Sequence, residues 1–211
     1  MNKPQHVIVP LGANCSAAHY LRRQNIREAA YPFDWTVTPL TSIIDLIENS
    51  FSDYLNSDNL TYLPPSKRYK FNEQGTQLET TEELVTPVVC KKHKILFPHD
   101  FSELASRDLP HIQKAYQRRI NRFIQLLSSD KKITFIINHG TNTVNEWQHE
   151  QYQLAGTAFP QSSSTDVKRL FKALSKQYEI SRFSVTKLSS FKRKRSLYKT
   201  YHQIINTIKG Q

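Results

Sequence analysis

Cysteine is scarce in this sequence: 211 residues contain two, Cys15 and Cys90, far apart and in no C-x2-C arrangement. That scarcity argues against a disulfide framework and leaves each thiol to be judged alone. No grouping of His, Cys and carboxylates has zinc-type spacing either, so no metal and no cofactor is expected. Long apolar runs are missing as well. The longest, around Ile133 to Ile137, has the length of a strand and falls far short of the roughly 18 residues that a membrane span needs. The sequence has no conspicuous glycine-rich phosphate loop, which argues against nucleoside-triphosphate chemistry. It also has no RNP, KH or C2H2 pattern for sequence-specific nucleic-acid recognition, no internal repeat and no low-complexity tract. The stretch before Val7 is too short for a signal peptide and reads better as the lead into a first strand, so the default expectation is a cytoplasmic protein.

Basic charge and aromatics are plentiful. There are 29 Lys and Arg against 18 Asp and Glu, a formal charge of +11, with 10 Tyr and 11 Phe. A chain of this size and aromatic content can bury a core unaided and is not globally disordered. From Lys187 onward there are seven Lys or Arg and no acid, leaving +4 for residues 1–186, so the basicity is mostly local. One α/β domain over 1–190 followed by a basic helix or tail over 191–211 is the expected organisation.

Periodicity supplies the elements. Residues 7–11 read as a strand, Gly12 to Cys15 as a tight turn, and the Ala17, Ala18, Tyr20, Leu21 spacing as a helix to about Arg23. Leu40, Ile43, Ile44 and Ile47 predict a helix over about 39–49. Residues 51–77 read as loop with short strand pieces, followed by strands at 77–81, 84–89 and 94–97. Ile112, Tyr116, Ile120, Phe123 and Leu127 share one face of a helix over about 108–128, with Asp108 suited to its N-cap. Lys132 to Asn138 has the β-branched density of a buried strand. A helix around 167–174 and a strand over 179–188 follow, and a terminal helix after the Lys192–Arg195 run. The segment 140–165 has no clear period and reads as a functional loop, a lid or an insertion. This alternation predicts a single α/β domain with a partly parallel central sheet flanked by helices.

Cys15 stands where a strand has ended, a glycine allows the turn and a helix begins. The macrodipole and free N–H groups there would lower the thiol pKa from about 8.5 and could hold an oxyanion, with Asn14 adding a donor. The plainer reading makes Cys15 a small core residue. His19, one turn on, shares its helix face but is usually incidental at that spacing.

Leu11-Gly-Ala-Asn-Cys15-Ser-Ala-Ala, with Leu21-Arg-Arg, Ile26-Arg27 and Tyr31-Pro-Phe-Asp-Trp35, resembles the opening signature of a bacterial family of papain-like cysteine peptidases whose function is unassigned. Phe97-Pro-His-Asp-Phe101 and the Arg118-Arg119-Ile-Asn-Arg122-Phe123 helix also match its pattern, so the resemblance spans roughly residues 7–138. It implies a nucleophile at Cys15 and a general-base histidine at His99, with Asp34 and Asp100 as candidates to orient that base. Asp34 is slightly preferred, because neighbours in an extended segment point apart and Asp100 would point away from His99. Both pairs have structural readings too: His99-Asp100 could cap the segment that follows, and Asp34 the helix near Pro39. His139, at the end of a strand, is a rival base, and Asn138 would complete a papain-like order of Cys, His, Asn.

Arg118, Arg119 and Arg122 cost helix stability unless carboxylates or an anionic ligand pair with them, so they are candidate anion-binding residues. The expected function is a cysteine-dependent hydrolase or acyltransferase acting on a small-molecule, peptide or glycan substrate. The arginines invite an anionic group on that substrate. The alternative is a non-catalytic module that binds an anionic glycan or nucleic acid through the arginines and the basic tail.

Overall fold

The computed structural model describes residues 5–71, 77–138 and 144–196, with the backbone alone described at 68–71 and 77–82. Three strands form a parallel sheet in the order β1 (His6–Pro10), β6 (Lys132–Ile137), β7 (Phe183–Lys187). The registers pair Val9 with Phe135 and Phe135 with Val185. Alternation along these strands decides which face each residue serves. Val7, Val9, Ile133, Phe135 and Ile137 point into the main core, which α2 (Leu40–Glu48), α3 (Ala105–Leu127) and α5 (Ser164–Ser175) cover. Ile8 and Ile136 point to the opposite face, against Ala17 of α1 (Ser16–Arg23) and Leu188 and Phe191 of a helix over 188–196, here α6.

A second, antiparallel sheet has the order β2 (Leu60–Tyr62), β4 (Gln77–Cys90), β3 (Ser66–Phe71), with β5 (Ile95–Phe101) also pairing with β4. The two sheets meet through residues 36–38. Val37 bridges Leu96 of β5 by two backbone hydrogen bonds of 2.9 and 3.0 Å, and the Thr38 N–H donates to the Ala13 carbonyl at 2.9 Å. One extended tripeptide thus ties the turn after β1 to the strand that carries His99.

The structure agrees with a single α/β domain with a partly parallel sheet and corrects several boundaries. The two expected strands at 77–81 and 84–89 are one strand of 14 residues, whose pairing with β3 shifts register between Lys67–Leu84 and Tyr69–Thr80, across the acidic pair Glu82-Glu83. Helix α3 begins three residues before Asp108, whose carboxylate accepts the Ser102 N–H at 2.6 Å from the first turn, and Pro110 lies inside the helix. The stretch expected as one strand from 179 opens with a 3-10 turn (Ile180–Arg182) before β7.

Within the segment 140–165, expected as a functional loop, a lid or an insertion, α4 (Glu146–Leu154) is a capped helix: Asn145 and Gln148 form a reciprocal capping box. Its buried face holds Gln148, Gln151 and Tyr152, a face too polar to register as hydrophobic periodicity. The Tyr152 hydroxyl sits between the carbonyls of Val37 (3.0 Å) and Lys94 (3.1 Å), which fastens α4 onto the junction of the sheets. The run Lys192–Arg195 lies inside α6 rather than ahead of a helix, and the expected helix from Leu197 onward lies outside the described residues.

Candidate functional site

The turn Gly12 to Cys15 follows β1 because Gly12 takes a positive φ of 55° with its Cα pressed against the Thr38 carbonyl. A side chain there would meet that oxygen at 2.3 Å, so only glycine fits. Cys15 is the N-cap residue of α1, although its side chain makes no capping bond. That role falls to Asn14, whose Oδ1 accepts the Ser16 N–H at 3.0 Å and faces Asn138 Nδ2 at 3.4 Å. Asn138 also donates its backbone N–H to the Gly12 carbonyl at 3.3 Å. Asn14 and Asn138 therefore meet beside Cys15, but the Asn14 oxygen serves the helix end.

The Cys15 thiol departs from the expectation of a lowered pKa. Burial pushes it up to about 11, and the hydrogen bond to its own backbone lowers it only in part. Desolvation of a thiolate outweighs the field of an eight-residue helix, so the resting sulfur carries its proton.

His99 and Asp100 lie in an irregularity of β5. Thr86 pairs with Phe101 and Val88 with Phe97, so Pro98, His99 and Asp100 stand opposite the single residue Pro87. Neither proline has an N–H to offer the ladder, and a bulge is where such residues are tolerated. The bulge also breaks the alternation that was expected to turn Asp100 away: His99 Nδ1 lies 4.0 Å from Asp100 Oδ2, with both side chains half-buried. Asp100 in turn accepts a hydrogen bond from Tyr116 Oη at 3.1 Å. Burial holds the Tyr116 phenol well above its usual pKa, so it remains a donor throughout the working pH range.

Asp34 is placed differently. Fully buried, it accepts from Arg27 Nε at 2.9 Å, from Arg27 Nη2 and from the Tyr31 N–H at 3.1 Å. Burial raises its pKa, and Arg27 only partly offsets this. Its Oδ1 has no hydrogen-bond partner among the described residues. Asp34, the carboxylate slightly preferred from sequence, thus holds the 27–35 turn to Arg27, whereas Asp100 lies beside the imidazole.

The three arginines part company, because successive helix residues are about 100° apart. Arg118 and Arg122 are exposed, whereas Arg119 turns inward, 4.5 Å over the Tyr116 ring, with Nη1 buried and unpartnered among the described residues. His139 lies outside the described residues. Among the described residues no three His, Cys, Asp or Glu side chains gather as metal donors, and no helix is long and apolar enough to cross a membrane.

Three residues join this site without having been singled out by spacing. Tyr116 looked like one more apolar position of α3. Trp35 packs its ring 4.9 Å from His19, edge to face, and lies under Arg27 at 5.0 Å. His19 itself, set aside as incidental, is near enough to His99 that the His99 charge, after burial, helps lower its pKa. For Trp35, the aromatic and basic residues of the Leu21 to Trp35 stretch are the available signal.

The chain Tyr116–Asp100–His99 gives two measurable shifts of opposite sign. Tyr116→Phe leaves the Asp100 charge less dispersed, so the His99 pKa should rise. Asp100→Asn removes that charge, so it should fall. Histidine titration by NMR reads both, and equal or absent shifts would dismiss the relay.

A family model described as "Putative papain-like cysteine peptidase (DUF1796)" matches residues 6–166. The uncharacterized protein R408 of Acanthamoeba polyphaga mimivirus is 30% identical over 135 residues, a match covering 62% of this chain and 60% of that one. This chain therefore spans about three fifths of the viral relative's length. No solved structure matches.

Proposed function

Since the chain belongs to the family described as papain-like cysteine peptidases, we propose that it is a cysteine-dependent hydrolase in which Cys15 attacks a carbonyl and His99 accepts the thiol proton. The observation that carries this reading is the β5 bulge, which sets His99 against Asp100 on a strand tied through residues 36–38 to the turn that bears Cys15. Asp100 fixes the ring and stabilises the imidazolium as it forms, and Tyr116 fixes Asp100.

The raised thiol pKa defines how such a site works. The cysteine begins as a protonated thiol rather than as a thiolate. In the first step the Sγ–carbon bond forms as the Sγ proton moves to His99, and the carbonyl oxygen takes the negative charge. Collapse then expels the leaving group, which takes the proton from His99 and leaves a thioester on Cys15. Water releases the acid in hydrolysis, and a second nucleophile would make the same chain an acyltransferase. A peptide or an acyl group on a surface polysaccharide is the substrate class proposed.

The test is to incubate the protein with p-nitrophenyl esters and aminocoumarin peptides and then to digest it for mass spectrometry. The expected result is an acyl adduct on the Cys15 peptide, absent in Cys15→Ala. Turnover that survives in Cys15→Ala would remove the reading.

One observation favours a second reading, a module for an anionic polymer. Lys192 of α6 lies 5.2 Å over the Tyr20 ring of α1, so the basic run of α6 packs on a helix whose last turn carries Arg22 and Arg23. Polymer binding that weakens steeply with salt and survives in Cys15→Ala would favour it.

A further inference from the structure

The parallel strands β6 and β7 end side by side at Ile137 and Lys187, paired in register, and a cavity of about 350 Å³ opens there against the first turn of α5. Its apolar lining comes from Ile137, Val167 and Val185, and its polar lining residues are Ser162, Ser164, Thr186 and Lys187. Small-molecule sites occupy roughly 300–1,000 Å³ and combine such walls with a few polar groups. In α/β sheets they gather beyond the carboxyl ends of the strands.

The charge at this mouth is one-sided. Lys187 is exposed and pairs with no carboxylate among the described residues. The nearby acid, Asp166, is already used, accepting from the Ser163 N–H at 2.7 Å, from Ser163 Oγ and from Arg169. We propose that this cavity binds a small organic anion, its apolar body against Ile137, Val167 and Val185 and its anionic head on Lys187. The cavity lies on the α5 face of the parallel sheet, whereas α1, which Cys15 precedes, packs on the opposite face, so the inference stands independently of the hydrolase reading.

Binding of hexanoate and of hexyl phosphate to the full chain, followed by NMR of the Val167 and Val185 methyl groups, tests it. Saturable binding of at least one anion is expected, with the stronger of the two telling a carboxylate ligand from a phosphate one. Cys15→Ala should bind equally well. Lys187→Gln should bind about tenfold more weakly, matching the loss of one charged contact worth about 1.4 kcal/mol. Hexan-1-ol should show the same loss. Val167→Phe fills the cavity and should abolish the methyl shifts, and the exposed Lys187→Gln keeps the test decisive if that variant fails to fold. Absence of saturation with both anions, or affinities untouched by Lys187→Gln, would overturn the proposal. Binding at Lys187 without any turnover would instead leave this site standing and remove the hydrolase reading.

Discussion

Gly12→Ala is expected to lower the free energy of unfolding by about 2–5 kcal/mol, a large part of the roughly 5–15 kcal/mol that holds a domain together. Two costs combine. An L side chain in the left-handed region costs roughly 1–2 kcal/mol. The added Cβ would also stand 2.3 Å from the Thr38 carbonyl oxygen, a contact that backbone movement alone can relieve. Any such movement strains the Thr38–Ala13 hydrogen bond of 2.9 Å, so part of the stitch between the sheets goes with it. Gly156 supplies the control. Its φ is 68°, equally left-handed, but nothing lies within 4 Å of the position a Cβ would take. Gly156→Ala should therefore pay the conformational cost alone. Urea unfolding of the two variants against wild type measures the difference, and equal losses would mean that the contact at Gly12 relaxes freely.

Alkylation of Cys15 by iodoacetamide at pH 7 is expected to run about a hundredfold slower than that of an unperturbed cysteine. The rate follows the thiolate fraction, and burial raises the pKa from 9.0 to about 11. At pH 7 only about one sulfur in ten thousand is then ionised. The sign carries over to stability. A raised thiol pKa leaves no effect while both folded and unfolded chains keep the proton. As pH climbs past the unfolded value, the unfolded chain ionises first, so folding stability declines until the folded thiol titrates too. The measurement is the alkylation rate between pH 6 and pH 10.5 on native protein, read on the Cys15 peptide. Cys90, which burial also raises, is followed in the same digests. A rate that saturates near pH 7 would contradict a resting neutral thiol and restore an ion-pair mechanism. A rate that rises to the end of the range, in a protein that still forms the acyl adduct, would place the proton transfer within the attack on substrate.

Much of the scaffold was legible in the chain because the relevant physics is local. The β1 turn and α1 follow from a short apolar run, a glycine and helical spacing. Ile112, Tyr116, Ile120, Phe123 and Leu127 mark the buried face of α3 by period alone. Motif resemblance singles out Cys15, His99, Asp34 and Asp100 together. What escaped depends on contacts between distant segments. The pairing of Pro87 with the 98–100 bulge cannot be seen from either segment alone, and the bulge decides which carboxylate faces His99. Asp34 looked like its equal in sequence, yet Arg27 claims it. The thiol pKa escaped for a related reason: a helix terminus is a local signal, whereas burial sums over everything packed around the sulfur.

Residues 36–38 have one more consequence, for the order in which the molecule comes together. The turn that holds Cys15 belongs to a sheet completed only when β6 arrives, some 120 residues later, while His99 belongs to a sheet built from residues 60–101. The tripeptide pairs with both, through Ala13 on one side and Leu96 on the other. The two residues that the proposed mechanism uses, Cys15 and His99, therefore come from different halves. A nascent chain that has folded only its antiparallel half holds His99 but not the turn that bears Cys15, so the proposed chemistry requires both sheets to be in place.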